Sequence, residues 1–224
     1  MQTPQDDKTP YYRLNPDTVL QAVESTGRLS DGRQLALNSY ENRVYQVGLE
    51  EADPVVVKFY RPGRWSDEQI LEEHQYSQEL EAAEVPLIAP TVIDGQTLFR
   101  FEGFRFALFR RQGGHAPELD DKETRLWLGR FIGRIHAVGR SAGFAARPAL
   151  TPKTYGEDSI ESLAEGRWIP AHLEPAFESL AGDLMQHIEN AFGRAGDIRQ
   201  IRVHGDLHLG NLLWRDGPFF VDLD

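Results

Sequence analysis

The chain has 224 residues, no cysteine and a formal net charge of −11, from 24 Lys and Arg against 35 Asp and Glu. The lack of cysteine excludes disulfide scaffolds, thiolate metal sites and a cysteine nucleophile, and the acidic balance argues against nonspecific nucleic-acid binding, which needs a basic face. No apolar run approaches the ~20 residues of a membrane helix, and the polar start has no signal-peptide core, so we expect a soluble cytoplasmic protein.

A polar arm followed by a short helix is expected over residues 1–29. Asn15 can cap this helix, Pro16 suits its first position and Gly27 marks its end.

Two segments beyond this helix are typical of strands, Arg43 to Leu49 and Val55 to Tyr60. In the second, alternation puts Lys58 on the face opposite to the apolar side chains of Val55, Val57 and Phe59. Alone, such a lysine is more often a strand-end residue whose amine reaches water.

A capping box formed by Ser66 and Gln69 predicts a helix that runs to about Glu84. Helical spacing gives this helix an inward face composed of Ile70, Glu73, Ser77 and Leu80. Glu72 falls instead on the side of Glu68, Tyr76 and Glu79, which we expect to face solvent.

Leu98 to Phe101 and Phe104 to Arg110 predict a hairpin that turns at Glu102-Gly103. After Gly113-Gly114, helical patterns replace strand patterns. The sequence therefore predicts a strand-rich part at 30–112 and a helix-rich part at 113–224, with the two glycines as the hinge.

Two helices are predicted in the second part, at residues 121–138 and 171–192, separated by an irregular stretch at 145–170. Both carry apolar stripes at helical spacing, Leu128 to Ile135 and Leu173 to Ile188, which we expect to lie in the core.

The segment His-Gly-Asp-Leu-His-Leu-Gly-Asn, from His204 to Asn211, points to chemistry. Asp206 and Asn211 have the spacing of a kinase catalytic loop, and Asp222 follows eleven residues after Asn211. Phosphoryl transfer needs hard oxygen ligands that hold Mg²⁺ across the phosphates. A hydroxyl nucleophile also needs a carboxylate that takes its proton.

This loop is similar to that of the aminoglycoside phosphotransferase and choline kinase branch of the kinase-like fold, which has His-Gly-Asp where protein kinases usually have His-Arg-Asp. Longer strings resemble the bacterial stress response kinase A (RdoA) family, and the resemblance covers essentially the whole chain from residue 15. These strings are Leu37 to Gln46, Val57 to Pro62, Ile70 to Gln75, and Leu213 to Pro218 leading into Val221 to Asp224.

The resemblance implies an α+β, bilobal protein kinase-like fold with an antiparallel-sheet N-lobe and a mainly helical C-lobe. It implies ATP and Mg²⁺ as cofactors and a protein substrate that is phosphorylated on Ser or Thr in a cytoplasmic stress response. We expect a monomer, with neither nucleic acid nor a membrane as a partner.

The resemblance also implies residue roles. Asp206 is the catalytic base, Asn211 and Asp222 are the Mg²⁺ ligands, and Asp222 also belongs to the catalytic set. Lys58 holds the α- and β-phosphates and Glu73 pairs with it. Ser39 lies in the loop over the phosphates, and the strand end at Phe109-Arg110-Arg111 offers backbone groups to adenine.

Two departures from the kinase pattern bear on these roles. Residues 36–47 contain no glycine, so we expect looser backbone contacts to the phosphates, helped by Ser39 and Asn42. Proteins of this family continue with a further helical section, so we expect the C-lobe to be incomplete in these 224 residues.

Three other functions fit parts of the pattern. A small-molecule kinase acting on an aminoglycoside, choline or a sugar uses the same transfer chemistry, and fold does not choose between the two substrates. A metallophosphoesterase would use His204, Asp206 and His208 as metal ligands, but the other histidines lack metal-site spacing. A noncatalytic nucleotide-binding fragment would bind ATP without transfer.

Overall fold

A computed structural model describes residues 10–223, so the first nine residues of the predicted arm and Asp224 lie outside the described part. The chain forms two compact units. One runs to Ser141 and resumes at Arg202, and the other is Ala142–Ile201. The lobes predicted at 30–112 and 113–224 and the hinge at Gly113 and Gly114 stay predictions.

The first unit holds a five-stranded antiparallel sheet of order β1-β2-β3-β5-β4 and a two-stranded hairpin of β6 and β7. Its elements are α1 (Pro16–Glu24), β1 (Ser30–Leu37), β2 (Arg43–Leu49), β3 (Val55–Phe59), α2 (Asp67–Ala82), β4 (Phe99–Phe101), β5 (Phe104–Arg110), α3 (Lys122–Gly139), β6 (Leu212–Trp214) and β7 (Pro218–Phe220).

Local chemistry sets the helix starts as predicted. The Asn15 side chain accepts a hydrogen bond from the backbone N–H of Thr18, and Pro16 occupies the first position of α1. Ser66 and Gln69 form both hydrogen bonds of the capping box at the start of α2. These caps satisfy backbone donors that the first helical turn leaves without partners.

The predicted alternation of β3 is confirmed. Val57 and Phe59 are fully buried in a core shared with Val19 and Val23 of α1. Lys58 lies on the opposite face, which lines a cavity. The strand thus separates the apolar core of the sheet from a polar cavity.

The predicted hairpin of β4 and β5 is also confirmed, and its two turn residues both have positive φ, Glu102 at 46° and Gly103 at 85°. Two successive left-handed residues match the twist of a tight hairpin.

Three sequence expectations need correction. The strand β1 was not predicted, because its start, Ser-Asp-Gly-Arg-Gln, is polar and the strand lies at the sheet edge. Tyr76 is fully buried rather than on a solvent-facing side of α2. Its neighbour Glu79 pairs with Arg202, which lies 123 residues away in the chain.

The second unit contains a π-helical turn (Lys153–Glu157), α4 (Asp158–Glu165) and α5 (Glu174–Ala195). Helix therefore occupies part of the stretch predicted to be irregular. The apolar stripe of α5 was expected in the core, yet Leu180 is 69% exposed and Leu184 is 55% exposed. Periodicity identifies an apolar face, but it does not supply the element that covers it. Among the described residues, no helix is both long and apolar enough to span a bilayer.

Candidate active site

A cavity of about 280 Å³ lies between the sheet and the segment that follows the His-Gly-Asp motif, entirely within the first unit. Apolar side chains form much of its wall, and among them are Val44, Val56, Ile88, Phe109 and Leu213. Its polar wall contains Ser39, Lys58, Glu73, Asn211 and Asp222. Five of the six site residues predicted from sequence therefore meet at one cavity.

Lys58 places a buried positive charge in the wall of this cavity. Its Nζ makes an ion pair with the Asp222 carboxylate and lies 3.8 Å from Oε1 of Glu73. Burial alone would lower the pKa of the Lys58 amine, but the charges of Glu73 and Asp222 outweigh burial and raise it above its usual value. The amine is therefore a permanent cation, held in place by two carboxylates.

Glu73 reaches Lys58 because α2 turns its inward face to β3. Glu73 is 4% exposed, and Ile70, Ser77 and Leu80 of the same face are buried with it. The helical-face argument that chose Glu73 over Glu72 is confirmed in this respect. A buried carboxylate is stable only when it is paired, and Lys58 provides the pairing charge.

Asp222 enters the cavity from the segment after β7. Its backbone has φ of 59°, a left-handed conformation that is uncommon outside glycine. The Val221 N–H donates to the carbonyl of Asn211 at 3.1 Å, which connects this segment to the loop that contains the His-Gly-Asp motif. The Asp222 side chain remains 41% exposed, so its carboxylate can contact both Lys58 and a further cation.

The sixth predicted residue is Asp206. Its carboxylate lies beside the cavity and is held by Asn211. The Asn211 amide nitrogen donates to the Asp206 carbonyl at 2.9 Å and to the Asp206 carboxylate at 3.3 Å. The Asp206 side chain is 58% exposed, so its carboxylate is accessible to an acceptor hydroxyl.

Ser39 lies in the loop between β1 and β2. Its hydroxyl donates to the carbonyl of Asn42 at 2.9 Å, and the Asn42 side chain accepts from the backbone N–H of Arg61 at 3.2 Å. Side-chain hydrogen bonds thus order this glycine-free loop and connect it to the segment that follows β3.

The residues present fit a magnesium nucleotide. Asp222 and Asn211 offer a carboxylate and an amide oxygen, the hard ligands that Mg²⁺ prefers. The buried Lys58 amine supplies positive charge for phosphate oxygens. The apolar wall suits the faces of a planar base, and the end of β5 contributes Phe109 and Arg110 next to it.

Sequence reasoning missed some of the site. The sequence analysis gave His208 a role only as a metal ligand of a metallophosphoesterase. In the structure its Nε2 lies 3.4 Å from the Asp206 carboxylate and its Nδ1 accepts from the Gly210 N–H. The two-residue spacing from Asp206 was the available signal. The apolar wall was not identified because its side chains come from several separate strands.

A larger cleft of about 500 Å³ lies beside Trp127 and Arg215. None of the predicted site residues line it. We therefore place the candidate active site in the smaller, more charged cavity.

Several known proteins resemble this chain over most of its length. The chain is 43% identical over 214 residues to "Stress response kinase A" of Shigella flexneri, an alignment that covers 96% of this chain and 65% of that protein. It is 40% identical over 219 residues to "Serine/threonine protein kinase RdoA" of Salmonella typhimurium, covering 98% of this chain and 66% of that protein. The chain thus spans slightly less than two thirds of the length of these curated relatives.

Among solved structures, "Amicoumacin kinase hAmiN in complex with AMP-PNP, Ca2+ and Ami" resembles this chain with a TM-score of 0.66 and 19% identity, over 91% of this chain and 63% of that one. This likeness confirms the predicted α+β kinase-like fold. The model of the family described as "Phosphotransferase enzyme family" matches residues 33–224. The chain therefore belongs to the phosphotransferase enzyme family.

Proposed function

We propose that this chain carries the ATP- and Mg²⁺-dependent catalytic site of a serine/threonine protein kinase that acts in a cytoplasmic stress response. The observation that carries the proposal is the convergence of Lys58, Glu73, Asn211 and Asp222 on one cavity, with the Asp206 carboxylate beside it. The names of the two curated relatives support the protein substrate and the stress response.

Each residue has a defined task in this proposal. Lys58 holds the α- and β-phosphates, and Glu73 keeps its amine aimed into the cavity. Asn211 and Asp222 would hold Mg²⁺, which when bound offsets the charge that develops on phosphate oxygens. Asp206 accepts the proton of the acceptor hydroxyl at a carboxylate oxygen, and the Asn211 amide keeps that carboxylate oriented.

A small-molecule kinase is the second candidate, and a specific comparison favours it. The structural relative described above is named as a kinase of amicoumacin. The transfer chemistry of the two candidates is the same, so only the acceptor distinguishes them.

Labelled ATP, offered with Mg²⁺ to generic basic proteins and, separately, to small hydroxylated amines and sugars, tests this proposal. We expect label on Ser or Thr of protein. Label only on a small hydroxylated molecule would overturn the protein-kinase assignment. ATP binding without any transfer would identify a noncatalytic nucleotide-binding module instead.

The same assay tests the residue roles. Asp206→Asn should lower transfer by about 10²–10⁴-fold and leave ATP binding intact, because proton acceptance contributes only to the chemical step. Asp222→Ala should weaken Mg²⁺–ATP binding as well. The matched control is Asp216→Asn, at an exposed turn residue with φ of 56° that asparagine also tolerates. Equal and mild effects of the two site substitutions would contradict the assignments.

A further inference from the structure

A polar junction, formed by Tyr76, Glu79, Gly139 and Arg202, joins α2 to the segment that enters the catalytic loop. Three of these residues are buried, and the side chain of Glu79 is 34% exposed. Arg202 is 4% exposed and lies four residues before Asp206. Its Nη2 donates to Oε2 of Glu79 at 2.6 Å, and its guanidinium carbon lies 4.4 Å from the centre of the Tyr76 ring. The Arg202 hydrogen bond holds the pKa of the Glu79 carboxyl below its usual range, so the pair is ionised at neutral pH.

The junction also includes the end of α3. The Arg202 N–H donates to the Gly139 carbonyl at 3.1 Å. The Tyr76 hydroxyl lies 2.9 Å from the Ile135 carbonyl and 3.2 Å from that of Arg202. A Cβ at Gly139 would collide with the Arg202 carbonyl oxygen, so the close approach of these two backbones requires glycine. Three separate parts of the chain therefore meet at Arg202, through both its side chain and its backbone.

The other side of α2 is anchored to the sheet. His74, next to Glu73, lies 2.6 Å from the Tyr60 hydroxyl through Nε2 and 2.7 Å from the Thr97 hydroxyl through Nδ1. These groups are buried. This contact fixes α2 relative to Lys58, whereas the junction fixes α2 relative to the catalytic loop. Loss of one anchor should therefore differ in its effect from loss of the other.

We propose that Arg202 is a positioning residue that, through Glu79 and Tyr76, sets the distance between the nucleotide-holding pair of Lys58 and Glu73 and the proton acceptor Asp206. This inference rests on the proposed function. It assigns a task to the ion pair between the buried Arg202 and the partly exposed Glu79, neither of which lines the nucleotide cavity. Because the sheet-side anchor keeps Glu73 next to Lys58, loss of the junction should misalign the reacting groups without removing the nucleotide site.

The test compares the effect of each substitution on turnover with its effect on nucleotide binding. For Arg202→Met and Glu79→Gln we expect kcat to fall by up to about 10²-fold, the effect of an ~1 Å misplacement, while the Kd of Mg²⁺–ATP changes little. Arg202→Lys should recover part of kcat because it restores the charge facing Glu79. The double variant should be no worse than Arg202→Met, since both changes break the same contact. Parallel losses in kcat and affinity, or unchanged kcat in folded protein, would overturn the inference.

The matched control is Arg134→Met. Arg134 also links α3 to the end of α2, through Oε2 of Glu84 at 3.7 Å, but that pair is exposed. We expect kcat and Kd to remain at wild-type values. A loss of kcat equal to that of Arg202→Met would show that any α2–α3 contact has this effect, and would remove the special role of Arg202.

A second readout does not depend on transfer and separates this inference from the proposed function. Glu79→Gln preserves side-chain volume and hydrogen-bonding ability, so we expect this variant to fold and use it for the second measurement. Hydrogen exchange of the α2 backbone amides should accelerate in Glu79→Gln and not in Arg134→Met. If the wild type phosphorylates no acceptor, the proposed function fails, yet faster exchange still supports the positioning of α2. Unchanged exchange in Glu79→Gln overturns the inference in either case.

Discussion

At the scale of single residues, the placement of Lys58 determines what the cavity can bind. When no nucleotide is bound, two carboxylates balance the positive charge of the buried Lys58 ammonium. Asp222 forms an ion pair with it, and Glu73 lies 3.8 Å away. Phosphate oxygens must compete with Asp222 for the amine. A cation that takes over the Asp222 carboxylate would release the amine at the same time, which links metal binding to phosphate binding through one side chain.

Replacement of Lys58 by methionine tests this link. Lys58→Met should raise the Kd of Mg²⁺–ATP by about 10- to 100-fold, as expected from the loss of a charged hydrogen bond worth about 1.5–3 kcal/mol. Isothermal titration calorimetry measures the change. The control is Lys153→Met, which removes a lysine that pairs with Asp158 and is 70% exposed. An unchanged Kd in Lys58→Met would show that Lys58 does not contact the nucleotide.

His204 gives the fold a dependence on pH. Its burial lowers the pKa of the imidazole, and its Nδ1 is buried without a hydrogen-bond partner among the described residues. Its Nε2 donates to the Val221 carbonyl at 3.1 Å. The folded state therefore resists a proton that the unfolded chain accepts near pH 6.5. The free energy of unfolding should then decrease as the pH falls from about 6.5 towards the lower folded pKa.

Urea denaturation between pH 7.5 and pH 5 measures this effect. The slope contributed by one proton is at most about 1.4 kcal/mol per pH unit. His204→Asn should flatten the slope in this window, whatever it does to the absolute stability. The carboxyls with lowered pKa values, such as those of Asp67 and Glu79, change charge below this window. An identical slope in His204→Asn would assign the pH dependence to other groups.

At the scale of elements, α2 carries Glu73, which lies beside Lys58 in the candidate active site, so the stability of this helix affects the site as well as the fold. The helix begins with a capping box in which the Gln69 N–H donates to the Ser66 hydroxyl at 3.2 Å. Ser66→Ala should lower the free energy of unfolding by about 1 kcal/mol. Thermal denaturation followed by circular dichroism measures the change. The control is Ser179→Ala, at an exposed position in the second turn of α5, where alanine is the better helix former. Equal destabilisation by both substitutions would contradict a capping effect.

The same helix shows what the sequence can predict about elements. Short-range rules located α2, its cap and its inward face, because 3.6-residue periodicity and capping act within a few turns. They misplaced Tyr76 and Glu79, because the partner of both is Arg202, which is distant in sequence. The β3 face was predictable for the same local reason. The edge strand β1 was not, since its polar start lacks any alternation that sequence rules recognise.

The residues of the candidate site also differ in how far the sequence alone could place them. The catalytic-loop spacing and the resemblance located Asp206, Asn211 and Asp222, which lie near one another in the chain. Strand and helix periodicity singled out Lys58 and Glu73, and the resemblance implied their roles. Their approach to one cavity depends on the pairing of β3 with its neighbours and on the packing of α2. The contact of His208 with Asp206 depends on loop conformation, which spacing alone does not determine.

At the scale of the whole molecule, net charge sets the form in which the nucleotide can bind. The chain carries a formal charge of −11, and three carboxylates surround or adjoin the cavity, those of Glu73, Asp206 and Asp222. Bare ATP adds four negative charges to this field at neutral pH. The cavity wall contains Lys58 and Arg110, whose two positive charges cannot offset them all, so we expect stable binding to require a divalent cation.

Thermal stability reports this requirement without any transfer assay. With Mg²⁺–ATP at 100 times its Kd, the unit that holds the site should gain about 2.7 kcal/mol of stability, and EDTA should abolish the gain. Asp222→Ala should remove most of the Mg²⁺-dependent gain, because it deletes the carboxylate that contacts Lys58 and that we propose as a ligand of the cation. The Asp216→Asn control should respond as the wild type does. A nucleotide-induced gain that persists in EDTA would contradict the assignment of Asn211 and Asp222 as metal ligands, since affinity would then come from the Lys58 amine and the apolar wall alone.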